Sequence, residues 1–190
     1  MSFNKGILFI VSAPSGAGKT TICQAVLNNI KDMHYSISYT TRNPRGNEKN
    51  GVEYFFITKE EFLKGIESGK WAEWAEVHGN YYGTSSETLN QVLDAGKNII
   101  LDIDVQGTYK ILEKYPDAVT IFIMPPDFNT LRIRMESRAA DSPEVIDRRM
   151  KNAINEIAQK DNYSHIIVND DLDKAVSQLT SIIKSCCINS

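Results

Sequence analysis

The run Gly6-Ile7-Leu8-Phe9-Ile10-Val11-Ser12-Ala13-Pro14-Ser15-Gly16-Ala17-Gly18-Lys19-Thr20-Thr21 limits what this chain can fold into more than any other stretch. An apolar, strand-like segment leads directly into a loop of small residues, and a helical pattern starts at once behind Gly-Lys-Thr. Such a loop closes its backbone N–H groups around phosphate oxygens. The helix behind it adds the partial positive charge of its N-terminus. The expected cradle is Ala13, Pro14, Ser15, Gly16, Ala17, Gly18, Lys19, Thr20 and Thr21. Lys19 is spaced to reach terminal phosphates, and the Thr20 hydroxyl to ligate Mg2+. Ala13 stands where the general pattern G-x-x-x-x-G-K-[ST] has its first glycine. Alanine is small, but it does not reach positive φ easily.

The rest of the chain repeats the alternation of apolar runs and helical patterns. Strands are expected over residues 6–12, 98–104, 118–124 and 165–168, with helices over 20–30, 106–115, 127–138 and 143–161 and a last one opened by Asp170. Buried strands alternating with helices predict an α/β fold with a parallel sheet. Residues 36–95 break the rhythm. Tyr35–Thr40 and Gly51–Ile57 read as short strands, Thr58-x-x-Glu61 as a capping box opening a helix over 59–68, residues 71–84 as an aromatic-rich strand region, and 86–95 as a helix. The expected organisation is one domain: a core at about 1–35, 96–126 and 162–190, a mixed α+β insert at about 36–95, and a short helical lid with its flanking helices at about 127–161.

Composition excludes several classes. A net charge of −3 over 190 residues speaks against a general nucleic-acid or membrane-surface binder. The longest apolar run is far too short to span a membrane, and Met1–Lys5 carry no apolar leader pattern, so a cytoplasmic enzyme is expected. Cys23, Cys186 and Cys187 form neither a disulfide framework nor a zinc spacing, and His34, His78 and His165 are scattered. No interface announces an oligomeric state.

A phosphate loop specifies only a nucleoside triphosphate; the insert must hold whatever receives or shares the phosphate. Arg42 and Arg45 flank a proline turn, and Tyr54 and Tyr82 are phenols of the same insert. Guanidinium forks pair with phosphate oxygens and phenols donate to them, so these four could hold a monophosphate. A solvated turn beside two core tyrosines is the plain alternative. Glu73 lies between two tryptophans, while Asp102 and Asp104 end an apolar strand. A carboxylate accepts two coplanar N–H bonds, which guanine offers and adenine does not. An acid at a strand end is also where phosphate-loop enzymes keep a Mg2+-associated aspartate. A surface acid, for Glu73, and a helix N-cap, for Asp102 and Asp104, are the alternatives.

Taken together, Ser12–Lys19, Thr40-Thr41-Arg42-x-Pro44-Arg45, Gly79–Thr84, Leu101-Asp102-Ile103-Asp104-x-Gln106-Gly107 and Ile167–Asp171 resemble guanylate kinases of bacterial type, in the family's order and over nearly the whole chain. The resemblance implies a nucleoside monophosphate kinase that converts ATP and GMP to ADP and GDP with Mg2+, dGMP being a further acceptor. By position it implies that Ser38, Glu73, Asp104 and nearby Thr84 meet the guanine base. Arg42, Arg45, Tyr54 and Tyr82 would hold the GMP phosphate, and Lys19 and Thr20 would serve ATP and Mg2+. Asp102 would act beside the metal or the arginines. Arg134, Arg138 and Arg149 would close over the transferring group, and Asn169 would lie near the adenine edge. Ser137-Arg138-Ala139 stands where the family commonly has Gly-Arg-Gly. Domains of this kind that bind protein partners without catalysis usually lack a working phosphate loop, whereas Gly16, Gly18, Lys19 and Thr20 are intact here. A kinase for another nucleoside monophosphate is the second rival, which Glu73 and Asp104 disfavour.

Overall fold

The three central strands of the main sheet are near-continuous apolar runs, which is what a strand covered on both faces requires. The structure, a computed structural model, describes residues 5–137 and 142–188. In chain order the elements are β1 (Leu8–Ser12), α1 (Lys19–Asn29), β2 (Met33–Tyr35), β3 (Tyr39–Thr40), β4 (Phe55–Phe56), α2 (Lys59–Glu67), β5 (Trp71–Val77) and β6 (Asn80–Ser85). They continue with α3 (Ser86–Asp94), β7 (Asn98–Asp102), α4 (Val105–Leu112), β8 (Val119–Met124), α5 (Phe128–Glu136), α6 (Pro143–Ile157), β9 (His165–Val168) and α7 (Leu172–Ile188).

A parallel sheet runs in the order β2-β7-β1-β8-β9. Side chains alternate across it. On one face Phe9, Val11, Ile100, Ile121 and Ile123 pack with Ile22 and Val26 of α1 and with Val176, Leu179 and Ile183 of α7. On the other, Leu8, Ile10, Ile99 and Leu101 pack with Leu89 and Leu93 of α3 and Ile111 of α4. The central strand β1 is buried along its whole length and delivers the phosphate loop at its C-terminal end. This is where open α/β sheets present their ligand sites. A separate cluster of Leu131, Met135, Ile146 and Ala153 joins α5 to α6.

The second sheet is mixed, in the order β4-β3-β6-β5, with β3 parallel to β4 and antiparallel to β6. Two lysines four residues apart, Lys110 on α4 and Lys114 just past its end, tie it to the core. Lys110 Nζ donates to the Trp74 carbonyl at 2.6 Å, and Lys114 Nζ to the Trp71 carbonyl at 2.9 Å. The aromatic stretch resolves into a β5–β6 hairpin, because His78 and Gly79 both take positive φ (51° and 76°) at its turn.

Several boundaries differ from the sequence expectation. The strand expected over Tyr35–Thr40 is two strands in two sheets: Tyr35 ends β2 beside β7, and only Tyr39–Thr40 belongs to the small sheet. The strand expected over 51–57 shrinks to Phe55–Phe56 after a turn. The strand expected to reach Asp104 stops at Asp102, and Asp104 instead caps α4, accepting the Gly107 N–H at 2.7 Å. The long helix expected to reach 161 ends at Ile157, with a separate helical turn over Lys160–Asn162. Ser142 precedes Pro143 at the helix start, but its hydroxyl bonds Glu144 and makes no capping bond to the backbone. Asp171 rather than Asp170 accepts from the first turn of α7, at Lys174 N–H. The break expected at Ala139–Asp141 lies outside the described residues.

The capping box at α2 is complete. Thr58 Oγ1 accepts the Glu61 N–H at 3.1 Å, and Glu61 accepts the Thr58 N–H at 2.8 Å. Thr58→Ala should cost about 1 kcal/mol and lower the melting temperature by about 2–4 °C, as read by calorimetry against the parent chain.

Candidate active site

The loop takes its shape from two glycines. Gly16 and Gly18 have φ of 91° and 93°, where a side chain is strained, and Gly18 is the N-cap of α1. A Cβ at Gly18 would also stand 2.5 Å from Asn169 Nδ2. Ala13 is absent from the positive-φ positions, so this chain has no conformational need for glycine there. The loop is pinned from three sides. The Ser12 hydroxyl donates to the Ile103 carbonyl at 2.9 Å, and Ala17 N–H closes a turn onto the Pro14 carbonyl at 3.0 Å. Buried Asn169 donates from Nδ2 to the Ala17 carbonyl at 2.7 Å.

Behind the loop, β7 brings up Asp102. Its Oδ1 forms an ion pair with Lys19, and its Oδ2 accepts from the Thr20 hydroxyl at 3.3 Å and the Tyr35 phenol at 3.4 Å. Lys19 Nζ also donates to the Ile103 carbonyl at 3.0 Å. Burial, followed by the Asp102 charge, pushes the Tyr35 phenol far above its ordinary value, so it stays a donor. Cys23, buried beneath this cluster, is pushed up to about 12 by burial and Asp102 and is held as a thiol.

A cavity of about 600 Å3 opens between this cluster and the small sheet. Lys19, Thr20 and Asp102 line it from the loop side, and Ser38, Tyr54, Glu73, Tyr82 and Asp104 from the other walls. Eight residues singled out in the sequence, far apart along the chain, thus meet in one space. Glu73 is 9 % exposed, and its Oε1 accepts the Thr84 hydroxyl at 2.7 Å. Burial raises its carboxyl above the usual glutamate range; the Thr84 bond pulls the other way, and Asp104 adds to the rise. Asp104 has one oxygen engaged by α4 and faces the cavity as well.

Other expected residues lie outside the cavity lining. Arg42 and Arg45 sit behind it, in the turn after β3. Arg42 is paired with Glu48 at 2.9 Å, a residue that the sequence reading passed over as turn. Tyr35 also lines the cavity, from a strand paired with β7 of the main sheet that the sequence pattern does not separate from the segment after it. Arg134 donates from Nη2 to the Asn169 carbonyl at 3.1 Å, and its Nη1 is buried with no hydrogen-bond partner among the described residues. Arg149 of α6 reaches across to the Ser15 hydroxyl in the loop. Arg138 lies outside the described residues.

The chain is similar to known proteins over nearly its whole length. The guanylate kinase family model matches residues 5–186. A guanylate kinase of Geobacter sulfurreducens is 49% identical over 179 residues, covering 94% of this chain and 88% of that protein. One from Clostridium perfringens is 47% identical over 180 residues, covering 95% and 83%. The crystal structure of guanylate kinase from Anaplasma phagocytophilum superposes with a TM-score of 0.78 at 34% identity, covering 97% of this chain and 88% of that one.

The buried Glu73 carboxyl has a consequence for stability. Its folded-state pKa is raised above the ordinary value of 4.5, so the folded protein binds this proton more tightly than the unfolded chain. The linked stability is present below pH 4.5 and is lost as the pH rises through the raised value. Glu73→Gln cannot ionise. Its melting temperature should match the parent below pH 4.5 and exceed it as the pH rises through the raised value, the gap levelling off beyond. A constant gap across that range would contradict the assignment.

Proposed function

This chain belongs to the guanylate kinase family and transfers the γ-phosphoryl group of ATP to GMP, giving ADP and GDP; we propose the following division of that work among its residues. The observation that carries it is the single cavity in which Lys19 and Thr20 of the loop face Glu73, Asp104, Tyr54 and Tyr82.

Guanine presents two N–H groups on one edge. Glu73, with Oε1 already held by Thr84, has a second oxygen to accept from them, and Asp104 has the oxygen that α4 leaves over. Adenine presents a ring acceptor on the same edge, which two carboxylates repel. Ser38, on the same cavity wall, completes the base site. Arg42, Arg45, Tyr54 and Tyr82 take the acceptor phosphate. Because these contacts go to base and phosphate, not to the ribose 2′-hydroxyl, dGMP is a second proposed acceptor.

The loop from Ala13 to Thr21 holds the ATP phosphates through its N–H groups and Lys19, and Asn169 meets the adenine edge with the oxygen its bond to Ala17 leaves over. Arg134 and Arg149, with Arg138, cover the transferring group. The partnerless Nη1 of Arg134 supports an anion there. Thr20 and Asp102 suit Mg2+: both are hard oxygen donors, 3.3 Å apart at the loop. Mg2+ takes most of its ligands from waters and phosphates and needs no protein cage. Thr20 would be the direct ligand, with Asp102 in the outer shell. When bound with ATP, Mg2+ supplies charge to offset that of the phosphate oxygens.

The acceptor phosphate is already anionic near pH 7, so no strong base is required. The residues work by placement and charge neutralisation. Lys19 exchanges the Asp102 carboxylate for ATP phosphate oxygens. The arginines offset repulsion between two anionic groups brought into line. The division into a core, a GMP-binding insert at about 36–95 and a lid region at about 127–161 gives two elements able to close over the cavity and exclude water, which would otherwise hydrolyse ATP. We place the enzyme in the cytoplasm, with the nucleotides it uses. Among the described residues no helix is long and apolar enough to cross a membrane.

The test is ADP formation from ATP and Mg2+ with GMP, dGMP, AMP, UMP or CMP supplied in turn. Turnover confined to GMP and dGMP is expected; turnover with AMP would overturn the roles of Glu73 and Asp104. Lys19→Ala should lower kcat by about 100-fold or more while leaving GMP binding largely intact, measured by steady-state kinetics and calorimetry. Glu73→Ala should raise KM for GMP at least tenfold more than KM for ATP, at about 1.4 kcal/mol per tenfold.

A further inference from the structure

One carboxylate at this site has no part in the scheme above. Glu48 follows Arg42 and Arg45 in the turn after β3, and its two oxygens serve both. Oε1 accepts from Arg42 Nη2 at 2.9 Å, and Oε2 accepts the Arg45 backbone N–H at 2.7 Å. The Glu48 N–H donates back to the Arg45 carbonyl at 3.0 Å, closing the turn from the other side. Arg42 is held from further directions. Its Nη1 donates to the Asn43 carbonyl at 2.8 Å, and its guanidinium lies 5.4 Å from the centre of the Tyr54 ring and 5.9 Å from that of Phe56. Its side chain is only 10% exposed. Glu48 lines the cavity, whereas neither arginine does.

We infer that Glu48 is a positioning residue for the acceptor phosphate: one carboxylate fixes the Arg42 guanidinium and the Arg45 backbone relative to each other before the phosphate arrives. The inference rests on the proposed use of Arg42 and Arg45 toward GMP. An arginine that grips a ligand from a free state gives up rotamer freedom, and one already held gives up less. Five N–H donors on a guanidinium still leave donors for phosphate after Glu48, Asn43 and Tyr82 have each engaged it. The Arg42 bond, with that of the Arg45 N–H, in turn holds the Glu48 carboxyl below the usual glutamate range, so the tie persists at neutral pH. Two cations and one anion leave a net positive turn, enough to attract a phosphate without trapping it.

The test compares GMP with guanosine, which has the same base and sugar but no phosphate. Dissociation constants for both are measured by calorimetry on the full chain and on Glu48→Gln and Arg42→Met, with KM for ATP and GMP alongside. Glu48→Gln is nearly isosteric and keeps one oxygen for the Arg45 N–H. It should weaken GMP about tenfold, leave guanosine unchanged, and keep KM for ATP within about twofold of the parent. Equal weakening of GMP and guanosine would make Glu48 merely structural. Tighter GMP binding would make it a competitor that the phosphate has to displace. No change in either would remove it from the site. Each of these outcomes overturns the inference. Arg42→Met separates it from its premise. If that variant keeps the parent's preference for GMP over guanosine, the assignment of Arg42 to the phosphate fails, and the role of Glu48 with it. If it loses the preference while Glu48→Gln keeps it, only the role of Glu48 fails.

Discussion

The contact between Lys19 and Asp102 is the constraint on which the site depends. It joins the loop after β1 to the end of β7, the adjacent parallel strand, and so sets how the loop sits on the sheet. Asp102 collects two further donors, from Thr20 and Tyr35, and Lys19 a carbonyl, that of Ile103. The two side chains are 20% and 11% exposed, so much of their hydration is lost. A partly buried pair of this kind gains little stability over an apolar pair of the same shape, because desolvation offsets the attraction. Its value is to keep an ammonium and a carboxylate at the mouth of a cavity, ready for other partners.

The same reasoning explains why the fold was more legible in the sequence than the site. Strands β1, β7 and β8 announce themselves because both of their faces are buried, which leaves nearly unbroken apolar runs; edge strand β9 is an apolar run too, although Ile166 and Val168 are exposed. Edge strand β2 does not announce itself. Its three residues, Met33, His34 and Tyr35, are all only half-buried and carry neither an apolar run nor a clean alternation. Tyr35 was therefore read with the segment that follows it. The short strands β3 and β4, two residues each, are set by cross-sheet pairing that no local pattern records.

Within the site, residues on regular elements with chemical spacing were readable: Lys19 and Thr20 at a helix start, and Asp102 at a strand end. Glu48 was not, because its role depends on a turn folding back so that an acid meets both the guanidinium and the amide that precede it in the chain. A useful signal was present all the same. An acid three residues after Arg45 is in position to reach back to that residue's N–H, as Glu61 does to the Thr58 N–H in the capping box of α2. Asp104 shows the opposite error. Both of its readings, helix cap and cavity carboxylate, hold at once, because a carboxylate has two oxygens and α4 uses one.

Several of the cations proposed to act on phosphate already have partners. Lys19 has Asp102, Arg134 has the Asn169 carbonyl, and Arg149 has the Ser15 hydroxyl. Binding the substrates is then an exchange of anions and acceptors, not the capture of phosphate by bare charge. Exchange has a cost, since each displaced carboxylate or carbonyl offsets part of the new attraction. The gain is that these three side chains are held in place when the cavity contains no nucleotide. On that proposal product release runs through the same exchange in reverse, with Asp102 recovering the Lys19 ammonium while Glu48 keeps hold of Arg42 throughout. An enzyme that neutralises four or more negative charges during transfer, and must then let both products go, is better served by partners that can be traded than by cations held unpaired.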